Sequence, residues 1–222
     1  MTTPNTSTDN SATDAKNRFG SRHAAEKYNQ ALVGTRKHQR EGAALEKVLD
    51  HIKPGSTVLD FPCGTGRLYP QLSRRQFKIT GADSSWHMAD IARTNIGEDS
   101  VQFGVSDVLN TAFADNSFDA VICNRLFHHF FEPEIRQTAL SELWRITRNV
   151  LIVSYYSDRC LDAYTFRMKN FLRGRSPTDR VPVPPEVFAD DARAAGLKII
   201  EEVQARPLVS MQTYAVLHAA DR

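Results

Sequence analysis

The sequence predicts an α/β fold, a mainly parallel sheet with helices on both faces, and two observations carry that prediction. First, β-rich runs at 56–61, 77–82, 101–105, 118–123 and 150–155 alternate with helical segments at 66–74, 85–96 and 133–148. Alternation of this kind builds βαβ units, whose crossover helices cover a parallel sheet on both sides. Second, the chain closes differently. A helix at 184–195 stops at Gly196, and runs at 197–204 and 210–219 follow, linked through Ala205-Arg206-Pro207. So short a link suits close antiparallel pairing, giving seven strands with an antiparallel last member.

The remaining elements follow in chain order. Residues 1–17 are mostly Thr, Ser, Asn, Asp and Ala. So polar a stretch buries too little apolar surface to offset its ordering entropy, and a disordered tail is expected. The folded domain then spans 18–222. Within it 18–53 forms a helical cap, with Ala44, Leu45, Val48 and Ile52 at helical spacing and Lys53-Pro54-Gly55 as its stop. The segment 157–182 exceeds a minimal connection and reads as an inserted lid. There Leu161, Tyr164, Met168, Phe171 and Leu172 share a helical face, while Arg167, Lys169 and Arg173 fall outside it and Arg175 lies just past Gly174.

Composition bounds the function. With 28 basic and 26 acidic side chains the formal charge is +2, too little for the basic face that a polyphosphate partner demands, so no nucleic-acid partner is expected. No apolar run reaches the roughly 20 residues of a membrane span, and no apolar stretch follows a basic start as in a secretory leader. Cys63, Cys123 and Cys160 are odd in number and form no C-x-x-C pair, which argues against a structural zinc or a disulfide framework. A cytoplasmic location is expected. Oligomeric state has no signature here.

The most informative stretch is Val58-Leu59-Asp60-Phe61-Pro62-Cys63-Gly64-Thr65-Gly66-Arg67-Leu68, an apolar strand running into an acid, a glycine-bearing turn and a helix. Gly64 and Gly66 lack Cβ, so the backbone can turn sharply and come close to a ligand. The helix that follows offers unpaired N–H groups to an anionic end. A dinucleotide fingerprint, G-x-G-x-x-G, fails at its third position, Tyr69. Other strand ends carry polar groups too. Asp83 closes Gly81-Ala82-Asp83, about twenty residues past the loop, where an acid accepts from ribose hydroxyls. Capping of the next helix, shared with Ser84 or Ser85, is the structural alternative. Asp107 and Val108 end the third run, where a turn-forming Asp is equally at home. Asn124 and Arg125 end the fourth, introduced by Asn116-Ser117-Phe118-Asp119, at the edge where open α/β sheets bind ligands.

In this order the features resemble the class I S-adenosylmethionine-dependent methyltransferases, a family of Rossmann-like fold, and its small-molecule branch most nearly. The resemblance covers about 56–156. Asp60, Gly64 and Gly66 match the family's first motif, with Pro62 in place of its first glycine; proline fixes φ and removes a donor, so any backbone contact a glycine makes there must be absent or reversed in kind. The resemblance implies S-adenosylmethionine as cofactor, its methionine part wrapped by the loop and its ribose on Asp83. Met88 would pack on the adenine and Asp107 would accept from the adenine amino group. Ser84, Val108 and Asn124 complete the expected cofactor set. No Asn-Pro-Pro-Tyr follows strand four, which disfavours the exocyclic-amine DNA and protein methylators.

A sulfonium methyl is already activated, so the enzyme must chiefly hold an acceptor lone pair in line with it, worth on the order of 7–11 kcal/mol at best. A general base is needed only where the acceptor does not lose its proton unaided. His128 and His129, in Leu126-Phe127-His128-His129-Phe130-Phe131, are the expected catalytic residues, because histidine titrates near neutrality. A structural imidazole donating to a backbone carbonyl is the alternative. Tyr28, Tyr155 and Tyr156 are candidates for orienting the acceptor, or for packing. Basic residues at Arg36, Lys37 and Arg40 and in the lid point to an anionic acceptor, a small molecule or a lipid-linked one, with peripheral membrane contact through 158–175. No metal is expected. Two rivals stay open, an NAD(P)-dependent oxidoreductase and a non-catalytic S-adenosylmethionine-binding module that regulates or scaffolds a partner.

Overall fold

The structure, a computed structural model, describes residues 10–32, 36–97, 101–174 and 180–220, without the side chains of 31–40. Seven strands form one sheet: β1 (Thr57–Asp60), β2 (Lys78–Asp83), β3 (Gln102–Val105), β4 (Phe118–Cys123), β5 (Thr147–Tyr156), β6 (Leu197–Gln204) and β7 (Gln212–Ala219). Their order is β3-β2-β1-β4-β5-β7-β6. The first five run parallel, and β7 lies antiparallel between β5 and β6. This is the predicted mainly parallel α/β sheet, with the antiparallel strand inserted beside β5 rather than added at the edge.

The strand sequences dictate the two-faced core. Side chains alternate across a sheet with period two. Val121 and Cys123 of β4 and Leu151 and Val153 of β5 join one buried cluster, whereas Ala120 and Ile122, and Val150 and Ile152, join the other. Helices close both faces: α1 (Ser11–Phe19), α2 (Arg22–Leu32), α3 (Arg36–Val48), α4 (Tyr69–Leu72), α5 (Trp86–Ile96), α6 (Pro133–Arg145), α7 (Leu161–Leu172) and α8 (Pro185–Ala194). Ala44, Leu45 and Val48 of α3 cover the second cluster, and Ala139, Leu140 and Leu143 of α6 the first. Among the described residues no helix is long and apolar enough to cross a membrane.

Two expectations change. The disordered tail placed at 1–17 is a helix from Ser11 onward, while residues 1–9 lie outside the described residues. Composition misled because the helix needs few apolar residues. Asn10 caps it, accepting from the Thr13 N–H at 3.0 Å, and Ala12 and Ala15 are the side chains it buries against the body. Ser11 is held as well, its hydroxyl contacting Glu132 and accepting from the Phe131 N–H at 3.0 Å. The lid expected at 157–182 also differs. α7 forms there, but Ala163 is its buried residue, and Leu161, Tyr164, Met168, Phe171 and Leu172 stand exposed. Arg167 is paired with Asp158 at 2.8 Å. Arg175, and the side chains of Arg36, Lys37 and Arg40, lie outside the described residues.

Candidate active site

Strand order reverses between β1 and β4, and a crevice at such a switch point is where open α/β sheets bind ligands. A cavity of about 360 Å³ lies there, walled by the carboxyl ends of the parallel strands and roofed by α1 and by Tyr28 of α2. Of the residues expected from sequence, Gly64, Asp83, Ser84, Met88, Asp107, Val108, Asn124, His128 and His129 all line it, and Asp60 and Gly66 do not.

The glycine loop explains that split. Gly66 adopts φ +81°, and a Cβ built on it would fall 2.6 Å from Ile96 Cδ1, so this glycine lets the loop pack onto α5. Gly64, at φ +55°, faces the cavity, and its N–H is already used, donating to Asp83 Oδ2 at 3.0 Å. Asp83 Oδ1 accepts from the Ser85 N–H at 2.8 Å. The helix-capping role belongs to Ser85, whose hydroxyl accepts from the Met88 N–H at 3.4 Å. Asp83 therefore fastens the end of β2 to the glycine loop while presenting its carboxylate to the cavity.

The next strand ends are also engaged by the chain itself. Asp107 is ion-paired with Lys16 of α1, and its Oδ1 accepts from the Leu109 N–H at 3.0 Å, the turn geometry natural to aspartate. Asn124 Oδ1 accepts from the Ser154 hydroxyl at 2.9 Å and from Gln212 Nε2 at 3.1 Å, tying β4 to β5 and β7. Beyond it the 3-10 turn Phe127–His129 carries the two imidazoles. His128 is buried and stacked on Tyr156 at 4.1 Å between ring centroids, with 6° between the planes; His129 meets Phe19 of α1 edge-on at 5.9 Å. Of the paired tyrosines Tyr156 lines the cavity, whereas Tyr155 donates to Glu202 at 2.6 Å and stacks on Phe188.

Three participants escaped the sequence reading. α1 contributes Lys16, Arg18 and Phe19 to the wall. Arg67 follows the last loop glycine directly. Glu41, nearly buried on α3, lies 3.2 Å from Arg125 Nη1 and 3.7 Å from Arg67 Nη1. A signal for Glu41 existed: it shares the apolar face of Ala44, Leu45 and Val48 at i, i+3, i+4 and i+7.

Burial governs the acids. It pushes Asp60 up to about 8, opposed by the Arg67 guanidinium and reinforced by the Asp83 carboxylate. It pushes Asp83 up to about 6 against the N–H groups of Ser85, Gly64 and Ser84. A carboxyl raised on folding contributes stability that is fully present below its unfolded value of 3.8 and is lost as pH rises through the folded one. Wild type should therefore lose stability relative to Asp60→Asn as pH rises from about 4 to about 8, with no further loss above that, by several degrees in Tm. Thermal unfolding of both proteins checks this, and parallel pH profiles would show that Asp60 does not titrate there.

Residues 58–149 match the family of methyltransferase domains. This segment is a methyltransferase domain. Mouse probable tRNA methyltransferase 9B is 35% identical over 102 residues, 46% of this chain and 22% of that protein. Demethylmenaquinone methyltransferase of Deinococcus radiodurans is 37% identical over 93 residues, 40% of this chain and 37% of that one. The chain thus spans well under half the length of these relatives. Among solved structures, magnesium protoporphyrin IX methyltransferase from Synechocystis PCC 6803 with bound SAH superposes with a TM-score of 0.77, over 94% of this chain and 99% of that one at 18% identity. The fold of the methyltransferase domain is thereby the class I methyltransferase fold. A relative named for tRNA leaves the expected exclusion of nucleic acid without support.

Proposed function

We propose that the methyltransferase domain transfers a methyl group from S-adenosylmethionine to a small-molecule acceptor, free or lipid-linked, that carries an anionic group. One observation carries this reading: a single cavity joins acids at the ends of β2 and β3 to arginines and imidazoles beyond β4. The residues fit the cofactor. Asp83 and Ser84 are placed for ribose hydroxyls, and the buried Met88 and Val108 offer an apolar wall for adenine. Asp60 Oδ1 is buried behind the glycine loop without a hydrogen-bond partner among the described residues, and a cationic ligand nearby would favour its ionisation. The bound cofactor supplies an activated methyl. α1 and Tyr28 exclude water from the reacting centre, and His128 or His129 receives the acceptor proton.

The exposed apolar face of α7, flanked by Lys169 and Arg173, supports a lipid-linked acceptor, since such a helix suits an anionic membrane surface. A tRNA acceptor is the second reading, favoured by the mouse relative and opposed by a formal charge of only +2, small for a polyphosphate partner.

The test begins with calorimetry. Wild type is expected to bind S-adenosylhomocysteine, and Asp83→Ala to bind it about 1.5–3 kcal/mol more weakly, the worth of hydrogen bonds to a charged group. Asp83→Asn, which keeps one acceptor for the loop N–H groups, separates loop damage from ribose contact. Labelled methyl transfer into a lipid and metabolite extract, and none into tRNA, completes it. Absence of heat with the wild-type protein would falsify the reading.

A further inference from the structure

Around Arg67 and Arg125 the positive charge exceeds the negative charge that the described residues bring to these two side chains. Arg67 and Arg125 share one carboxylate, Glu41, which at 3.7 Å from Arg67 Nη1 is an ion-pair neighbour and not a hydrogen-bond acceptor. Arg67 Nη1 is buried and has no hydrogen-bond partner among the described residues. The same holds for the hydroxyl of Tyr156, a residue only 2% exposed. Buried donors left unsatisfied in an otherwise well-bonded core mark a place where something else accepts. Tyr156 and Arg125 are held firmly. Tyr156 stacks on His128, and its carbonyl accepts from the Val183 N–H at 2.7 Å. Arg125 sits at φ +61°, unusual for a residue other than glycine, and its N–H donates to the Ser154 hydroxyl at 2.7 Å.

We propose that Arg67, Arg125 and the Tyr156 hydroxyl form an oxyanion subsite that binds a carboxylate or phosphate of the methyl acceptor. The inference rests on the methyl-transfer reading above and names the chemical class that the acceptor must carry. Position favours the acceptor over the cofactor's own carboxylate. The acids fitted to the cofactor follow β2 and β3, whereas Arg125 follows β4 and Tyr156 ends β5, beside the imidazole of His128. Electrostatics agree. Burial opposes the Arg125 charge, yet Tyr156 and Glu41 outweigh it and hold the guanidinium above its usual range. Burial also raises Tyr156 against the pull of Arg125, so the phenol keeps the proton it must donate. Among the described residues Glu41 offsets one of these two arginines, which leaves the pair one net positive charge, suited to a monoanionic head.

The experiment titrates sodium benzoate and inorganic phosphate, separately, into protein saturated with S-adenosylhomocysteine. At least one anion is expected to bind. Arg67→Met and Arg125→Met should weaken it tenfold or more, and Tyr156→Phe about threefold, with S-adenosylhomocysteine affinity unchanged within twofold. Arg125→Lys, which keeps the charge, should recover part of the loss and guards against misfolding in the methionine variant. Binding of neither anion, or binding indifferent to all the variants, overturns the subsite alone. A loss of S-adenosylhomocysteine affinity in the arginine variants, with 5′-methylthioadenosine affinity unchanged, assigns the arginines to the cofactor carboxylate and also overturns it. Failure of wild type to bind S-adenosylhomocysteine is a different result and removes the methyl-transfer reading itself.

Discussion

Arg136→Ala should destabilise the fold by about 3–5 kcal/mol, the cost of stranding a buried charge by removing its partner. Arg136 Nε lies 2.6 Å from Asp191 Oδ2, with side chains only 4% and 3% exposed. Its Nη1 also donates to the carbonyls of Phe130 at 3.2 Å and Phe131 at 2.9 Å. One guanidinium therefore joins α6 to α8 and both to the loop that follows the histidines. Truncation leaves the Asp191 carboxylate with Gln137 as its remaining side-chain donor among the described residues, at 3.0 Å. Equilibrium urea unfolding measures the loss. Arg136→Met combined with Asp191→Leu should recover most of it, because an apolar pair carries no stranded charge. The part not recovered is the debt of two carbonyls that lost their donor. A single-variant loss below about 1 kcal/mol would mean that the pair is solvated in solution. The variant should also lose turnover at temperatures where it remains folded, since Arg136 anchors the loop that directly follows the two histidines.

The sheet was legible because its signals are local and strong. Alternating side chains in Phe118–Cys123, for instance, can satisfy two apolar faces in one way. The acids on the side of the cavity that we propose for the cofactor were legible for a related reason. Asp83, Asp107 and Asn124 each end a strand, so the order of strands fixes where they meet. The roof was not. α1 reads as a polar tail, and its stability comes from partners distant in sequence, Glu132 and Asp107, which no local window contains. α7 was misjudged in the opposite sense. Its apolar face predicts burial against the cavity, but the helix leaves that face exposed and the cavity is closed from the N-terminal side. The side proposed for the acceptor was half visible: Arg125 follows the end of a strand, whereas Arg67 and Glu41 acquire their meaning only when α3 meets the glycine loop.

Replacing His128 with alanine should lower kcat on the order of 100-fold while cofactor affinity stays within twofold, the signature of a lost general base. His128 is favoured over His129 by its surroundings. It is buried, it lines the cavity, and it stacks on the tyrosine of the proposed anion subsite, so an acceptor anchored there brings its reacting atom beside this ring. Its carbonyl accepts from the Val181 N–H at 2.8 Å, which fixes the turn that aims it. His129 is more open and leans on Phe19 of the roof, where it supports α1. His129→Ala should therefore raise the acceptor KM more than it lowers kcat. The pH profile separates a base from a packing ring. Loss of the acidic limb of kcat in His128→Ala, with the limb kept in His129→Ala, is the expected result. His128→Asn, which preserves size and a hydrogen bond but cannot titrate, should behave like the alanine variant. If His128→Asn instead turns over at the wild-type rate, no proton passes through this residue and the whole rate enhancement comes from positioning.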